Sequence, residues 1–496
     1  MSPGREQHDV VVVGAGPNGL AGAVTMARAG LDVVVLEEQP TAGGGARTAG
    51  LGLGEGVVHD LCSAVHPMAL ASPFFREFDL ATRGVELTSP EISYAQPMDG
   101  GQAGVAYRDL ERTVEHLGED GPAWRALLGP LVAEPETVTA VAMGDKRSVP
   151  REVLNPAGLR AAAAFGAAVL EQGSGLWSAR FRGNVAPALL TGVAAHSTAP
   201  LPSLAAAGTS LLLAAHAHGV GWPIPTGGSQ AIVDALVADL RTHGGEVRTG
   251  TPVRTWRQLP RARAYLFDTT PRALVQIWGE RMPPGVRAGL ERFQYGNAAA
   301  KVDFVLSGPV PWTNADVARA GTVHVGGTRQ EVARAEAQVA AGRHAESPLM
   351  LVSDPALTVP SREVSGLRPL WTYAHVPAGS TVDMTEAVTA QLERFAPGFR
   401  DVVVAARCIP AAEMSAHNAN YVDGDIAAGA ISMWRMVARP RAAWDPFTGG
   451  VPGVYLCSSS TTPGPGVHGM GGWSAARRAL RDRFGIRRSP DLSPGI

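Results

Sequence analysis

Three features of this sequence predict an α/β fold built as two intergrown domains, one of them Rossmann-like. At 496 residues the chain is too long for one ordinary domain. Hydrophobic residues make up 45% and charged residues 18%, which supports a large core and excludes global disorder. Residues 10–37 run strand, glycine loop, helix, strand, acid, the order of a dinucleotide-binding unit.

Each part of that unit has a physical reason. Val10, Val11, Val12 and Val13 form a short β-branched run, as a parallel strand buried on both faces requires. The run ends in Gly14-Ala15-Gly16-Pro17-Asn18-Gly19. Gly14 permits the tight turn, and Gly16 lets the main chain approach a pyrophosphate. Gly19 lets the following helix pack against the strand. Leu20, Ala23, Val24 and Ala27 share one face of that helix, and Gly30 stops it. The helix start offers unpaired N–H groups to phosphates, with Pro17 and Asn18 in the same turn. Val33, Val34, Val35 and Leu36 make a second strand, closed by Glu37 and Glu38. Glu37 can accept hydrogen bonds from ribose hydroxyls and disfavours a 2′-phosphate.

Composition narrows the function classes. Net charge is −2, from 45 acidic and 43 basic side chains, so no basic face for nucleic acid is indicated. Gly 59 and Pro 38 follow no G-X-Y period and mark turns. Cys62, Cys408 and Cys457 are far apart and form no C-x-x-C, so neither a zinc ribbon nor a redox pair is expected. No metal site is expected either. His216 and His218 would decorate a helix end without a third ligand. The N-terminus is polar and carries no apolar signal region, which makes the cytoplasm the default location. Residues 183–233 contain no Asp, Glu, Lys or Arg, but prolines and glycines interrupt them. A membrane-spanning helix is therefore not expected, while an apolar substrate region or a peripheral membrane contact is. Only Lys146 and Lys301 are lysine, which singles both out.

After the second strand comes Thr41-Ala42-Gly43-Gly44-Gly45-Ala46-Arg47-Thr48. Further along are 59–67, 221–229, 265–271, 301–304, 371–377 and 418–426. Gly464-Pro465-Gly466-Val467-His468-Gly469-Met470 follows the apolar run 454–457. Together these segments resemble the amine oxidase and phytoene desaturase superfamily, most closely its phytoene desaturase-like branch, and the resemblance spans nearly the whole chain. It implies a glutathione reductase-type, Rossmann-like FAD-binding domain with an inserted mixed-sheet α+β substrate domain. The first is expected at 1–75, 220–280 and 440–496, the second at 76–219 and 281–439. The resemblance also implies non-covalent FAD, held by Gly14, Gly16, Pro17, Asn18, Gly19, Glu37, Glu38, Gly44, Gly45 and Arg47. Val253, Thr269, Gly466, Val467, His468 and Gly469 complete that set. Relatives often place an acid after the last strand for the ribityl chain, where this sequence has serines from Ser458. No second glycine-loop unit exists, so a separate NAD(P)H domain is not expected.

The inserted region predicts a hairpin, 92–96 and 104–107, turned at Asp99-Gly100-Gly101. Apolar helical segments follow at 161–170, 185–195 and 204–216. Strands are expected at 301–306, 322–325, 370–375 and 402–407, and 246–253 reads as a strand on the adenine side. The whole suggests a mixed sheet roofed by helices, forming one wall of an apolar tunnel.

Flavin accepts a hydride, so the protein's task is placement, exclusion of water and one acid or base. His468, Lys301 and Asp425 are the candidates for that group. His66, Asn418 and Tyr421 are further polar candidates, each equally readable as a satisfied structural group. The leading reading is an FAD-dependent dehydrogenase or desaturase of an apolar small molecule such as an isoprenoid, with dioxygen or a quinone as electron acceptor. A flavin amine oxidase, a redox-neutral isomerase using reduced flavin, and a prenyl-binding protein without flavin are the alternatives. The intact glycines and Glu37 speak against the last.

Overall fold

Val10–Val13 lies at the centre of a five-stranded parallel sheet in the computed structural model, which describes residues 6–145 and 147–494. Lys146 and the first five residues of the polar N-terminus lie outside the described residues. The strand order is Val454–Leu456, Ala264–Phe267, Val10–Val13, Val33–Leu36, Glu246–Arg248. Every neighbouring pair is parallel. Alternate valines serve opposite faces, as the period of two demands. Val10 and Val12 pack with Leu20, Val24, Ile232 and Leu236 from the helices Pro17–Arg28 and Gln230–Thr242. Val11 and Val13 pack with Leu274, Ile277 and Trp278 on the other side. Burial on both faces explains why the strand is apolar without alternation.

The helix Met470–Ala479 lies against Pro17–Arg28. It begins at Met470, because Gly469 takes a left-handed φ of 69° and turns the chain into it. The approach of the two helices is set by glycine. A Cβ on Gly472 would stand 1.7 Å from the Asn18 carbonyl oxygen, and one on Gly471 would stand 2.4 Å from that of Cys457. Both obstacles are main chain and cannot rotate away. Gly472→Ala is therefore expected to cost about 2–3 kcal/mol of stability. A urea unfolding midpoint equal to that of the wild type would show that the helices do not meet there.

The second sheet has seven strands, in the order Val403–Ile409, Ala298–Leu306, Arg368–Val376, Met350–Ser353, Ala320–Val325, Ile92–Pro97, Ala103–Tyr107. It is mixed, since Ala320–Val325 and Ile92–Pro97 run parallel while the other pairs are antiparallel. The hairpin turns at Asp99–Gly101, where Gly100 and Gly101 take φ of 73° and 77°. The helix Val185–Ala194 packs on the hairpin end of the sheet, and Leu204–Ala217 packs on that helix and on Pro156–Gln172. The uncharged stretch 183–233 is thus mostly core, with part of it facing a cavity. No helix among the described residues is long and apolar enough to cross a membrane.

Two strand expectations change. The strand on the adenine side is Glu246–Arg248 alone. At Gly250, φ of 63°, the chain turns off the sheet and its N–H bonds the Gln39 carbonyl, so Val253 sits in a loop. Met350–Ser353 is a strand that the sequence pattern did not single out, a short apolar run between Pro348 and Asp354.

Candidate active site

A single cavity of about 960 Å³ runs from the glycine loop to the helices over the mixed sheet. Gly14, Gly16, Pro17, Asn18, Glu37, Glu38, Gly44, Gly45, Val253, Thr269, Gly466 and Val467 line it. Gly19, Arg47, His468, Gly469, Lys301 and Asp425 do not.

At the loop end, Gly14 takes φ of 97°, and its N–H donates to the Leu36 carbonyl at 2.8 Å. Glu37 stands at the end of its strand, with Oε2 accepting from the Ala15 N–H at 2.7 Å and Oε1 from the Gln39 N–H at 2.9 Å. Its carboxylate is thereby fixed against the loop. Glu38 is ion-paired with Arg254 at the neighbouring rim. Thr269 lies two residues beyond the adjacent strand Ala264–Phe267, and its carbonyl accepts from Ser458 Oγ at 2.6 Å.

Asp268 is a site residue that the motifs did not reveal. Its Oδ2 accepts from the Gly19 N–H at 2.9 Å, and a Cβ on Gly16 would come within 2.4 Å of the same oxygen. Burial raises its pKa to about 7; the Gly19 N–H opposes this and Glu37 adds repulsion. The available signal was an acid immediately after the apolar strand beside the glycine strand, where open parallel sheets bind ligands.

Arg47 turns away from the cavity. Its Nε donates to the Gly44 carbonyl at 3.1 Å and its guanidinium also bonds the His417 carbonyl. These bonds brace the second glycine turn. Gly45 meets Tyr421, since a Cβ there would be 2.0 Å from the Tyr421 hydroxyl. Asn18 Oδ1 accepts from the Gly471 N–H at 3.2 Å, joining the glycine loop to the start of the C-terminal helix.

The three acid–base candidates are structural in their contacts. His468 is fully buried: Nδ1 accepts from the Met470 N–H at 3.0 Å, and Nε2 donates to the Gly464 carbonyl at 3.1 Å. Burial lowers its pKa to about 4, so it is a neutral pin of the 464–470 loop. Asp425 accepts from the N–H groups of Gly296, Ala427 and Gly429 at 2.7, 2.9 and 2.7 Å. Those bonds hold a turn whose neighbours Ile426, Ala427 and Ala428 do line the cavity. Lys301 is ion-paired with Asp303 on the same strand face, both buried. Its Nζ stands 5.2 Å from the ring centroid of Trp371, a cavity residue, so the pair lies just behind the wall.

His66, Asn418 and Tyr421 line the cavity. His66 Nε2 is bonded to Ser229 Oγ at 2.7 Å, and burial lowers its pKa to about 4, with Asp60 opposing. His216 and His218 stand at the end of the helix Leu204–Ala217, as expected, and both are buried there. His216 bonds Thr139 Oγ1 at 2.8 Å, and His218 accepts from the Trp124 indole at 3.0 Å. No cluster of metal-ligating side chains occurs among the described residues.

The far part of the cavity is apolar. Phe165, Val169, Leu204, Leu212, Leu213 and Met436 wall it, and Trp222, Trp371 and Tyr373 add aromatic faces. Met433 and Val437 line it too and are themselves exposed, beside exposed Trp434. The chamber therefore opens at an apolar rim.

The family described as NAD(P)-binding Rossmann-like domain matches residues 12–78. An uncharacterized protein of Mycobacterium tuberculosis is 26% identical over 562 aligned positions, covering 99% of this chain and all of its own. One of the subunits of limonene dehydrogenase from Castellaniella defragrans is 31% identical over 117 residues, 24% of this chain and 21% of that one. Among solved structures, a redesigned putrescine oxidase superposes with a TM-score of 0.59 at 15% identity, covering 97% of this chain and 99% of its own. The fold is thus shared over the whole chain.

Proposed function

We propose that this chain is an FAD-dependent oxidoreductase that dehydrogenates an apolar small molecule. One observation carries the reading: a single cavity joins the glycine-loop end of the parallel sheet to an apolar chamber. The cradle suits FAD. Glu37 is held at the strand end for a ribose, and Gly14 and Gly16 keep side chains away from the loop. The helices that start at Pro17 and Met470 bring their positive dipole ends to the 14–19 and 466–467 loops, where negative charge is favoured. When bound, FAD supplies a hydride acceptor.

The chain's own residues place and enclose the substrate. Phe165, Val169, Leu212 and Leu213 favour an apolar body, since each buried CH₂ contributes about 0.8 kcal/mol. Trp371 and Tyr373, packed edge to face at 5.2 Å, add an aromatic wall from the mixed sheet. The exposed rim of Met433, Trp434 and Val437 suits entry from a lipid surface. The partial likeness to a limonene dehydrogenase supports an isoprenoid, with dioxygen or a quinone as acceptor. Amine oxidation is the second reading, favoured by the likeness of fold to putrescine oxidase.

Denaturing the purified protein is expected to release one FAD per chain, and release of FMN or of no flavin would end this reading. Glu37→Ala is expected to weaken FAD retention by about 1–3 kcal/mol, the usual loss of charge-assisted hydrogen bonds. Equal flavin occupancy in both proteins after dilution would exclude Glu37 as the ribose ligand. Turnover of charged amines with no binding of long isoprenoids would promote the second reading.

A further inference from the structure

One end of the apolar chamber carries polar groups that the proposed chemistry leaves without a task. His196 and Thr322 line the cavity there, together with Trp222. His196 Nε2 lies 2.8 Å from Nε2 of His324, which is fully buried on the strand Ala320–Val325. Four rings form a box: His324 stands 5.5 Å from Tyr94 and 6.0 Å from Trp222, and His196 stands 5.7 Å from Trp222. Tyr94 and Trp222 close it by stacking at 4.8 Å.

Several polar atoms here have no hydrogen-bond partner among the described residues. They are the Tyr94 hydroxyl, Thr322 Oγ1, His324 Nδ1 and Gln96 Oε1. Gln96 belongs to the same group, since one Cβ on Gly192 would meet both Gln96 Oε1 and the His324 ring. Buried polar atoms are costly unless something bonds them. Of these residues only Thr322 belongs to the cavity wall, while His324 reaches it through its bond to His196, so Thr322 and His196 are the members that a ligand atom can meet.

We propose that this box is a polar anchor for a neutral oxygen function, a hydroxyl or a carbonyl, at one end of an otherwise apolar substrate. The assignment rests on the apolar-substrate reading above and specifies that substrate's class. Neutrality follows from the surroundings. Burial lowers the His196 pKa to about 3 and that of His324 well below its ordinary value. His375, bonded to buried Glu336 at 2.6 Å, adds to both effects. The wall therefore offers no charge to an ammonium or a carboxylate.

The paired imidazoles also suit an oxygen that changes character. One ring donates to the other, and exchange of tautomers reverses the direction. In one arrangement His196 Nδ1 accepts, as a hydroxyl requires; in the other it donates, as a carbonyl requires. The same pair can hold an alcohol and the carbonyl compound formed from it.

The test is equilibrium dialysis of the holoprotein with a long isoprenoid alcohol and with the hydrocarbon of the same skeleton. The alcohol is expected to bind about tenfold more tightly. His196→Phe should abolish that preference and leave hydrocarbon binding within twofold, while His196→Gln should restore part of it. Thr322→Val should reduce the preference severalfold, and it serves as the test if His196→Phe does not fold. Equal binding of both ligands to wild type, or a preference unchanged in the variants, overturns the anchor alone. Tighter binding of the ammonium or carboxylate analogue overturns its neutral character. Failure of every apolar ligand to bind overturns the apolar-substrate reading, and the anchor with it.

Discussion

Lys301→Met is expected to cost about 3–5 kcal/mol of stability, because it leaves Asp303 buried without its counter-charge. Both side chains are about 1% exposed. Burial raises the Asp303 pKa, with Lys301 and then His59 opposing. Removing the lysine strengthens the upward shift, so the variant should lose least at low pH and most as pH rises through the raised value. Replacing both residues, Lys301→Met with Asp303→Leu, should recover most of the loss, since a packed apolar pair needs no desolvated charges. Urea unfolding of the three proteins checks this. A single variant losing less than about 1 kcal/mol would mean that the pair behaves as an exposed one. The double variant also separates structure from chemistry. If it folds and its reduced flavin reoxidises in air at the wild-type rate, Lys301 is a packing element. A slowed reoxidation in a stable double variant would make it a catalytic group.

The second large effect belongs to Asp268. Its pKa is about 7 in the folded chain against 3.8 as its ordinary value. A raised acid contributes stability that is fully present below the unfolded pKa and is lost as pH rises through the folded one. The apoprotein should therefore lose on the order of 4 kcal/mol between about pH 4 and pH 8 through this residue alone. Asp268→Asn keeps an oxygen for the Gly19 N–H and removes the charge. It should be more stable than wild type at pH 8 and nearly equal only at about pH 3, below the unfolded value. Parallel stability curves for the two apoproteins would disprove the shift.

Much of the fold was legible because its signals are local. Val10–Val13, the glycine loop and Glu37 announce the parallel unit through adjacent residues. The Asp99–Gly101 turn announces the hairpin in the same way. What failed to show depends on distance along the chain. Lys301 and Asp303 alternate as a strand should, but that both lie under a protein roof is decided by segments hundreds of residues away. His468 looked catalytic because it sits in a glycine loop. Only the closure of Gly464 and Met470 onto its ring shows both nitrogens committed. The bond from Arg47 to the His417 carbonyl was hidden for the same reason, since the two lie 370 residues apart. The pairing of His196 with His324 had no local signal, because a helix end and a strand far apart in sequence bring them together.

The parallel sheet also dictates how the protein must be made. Its central strand ends at Val13, while an edge strand begins at Val454 and the helix that seals the glycine loop begins at Met470. A ribosome adding about 5–20 residues each second needs tens of seconds to pass between those points. During that interval Gly22 and its neighbours on the first helix have no lid. The nascent chain is thus an aggregation hazard until its last segment emerges, and chaperone supply during translation should limit the yield of folded protein.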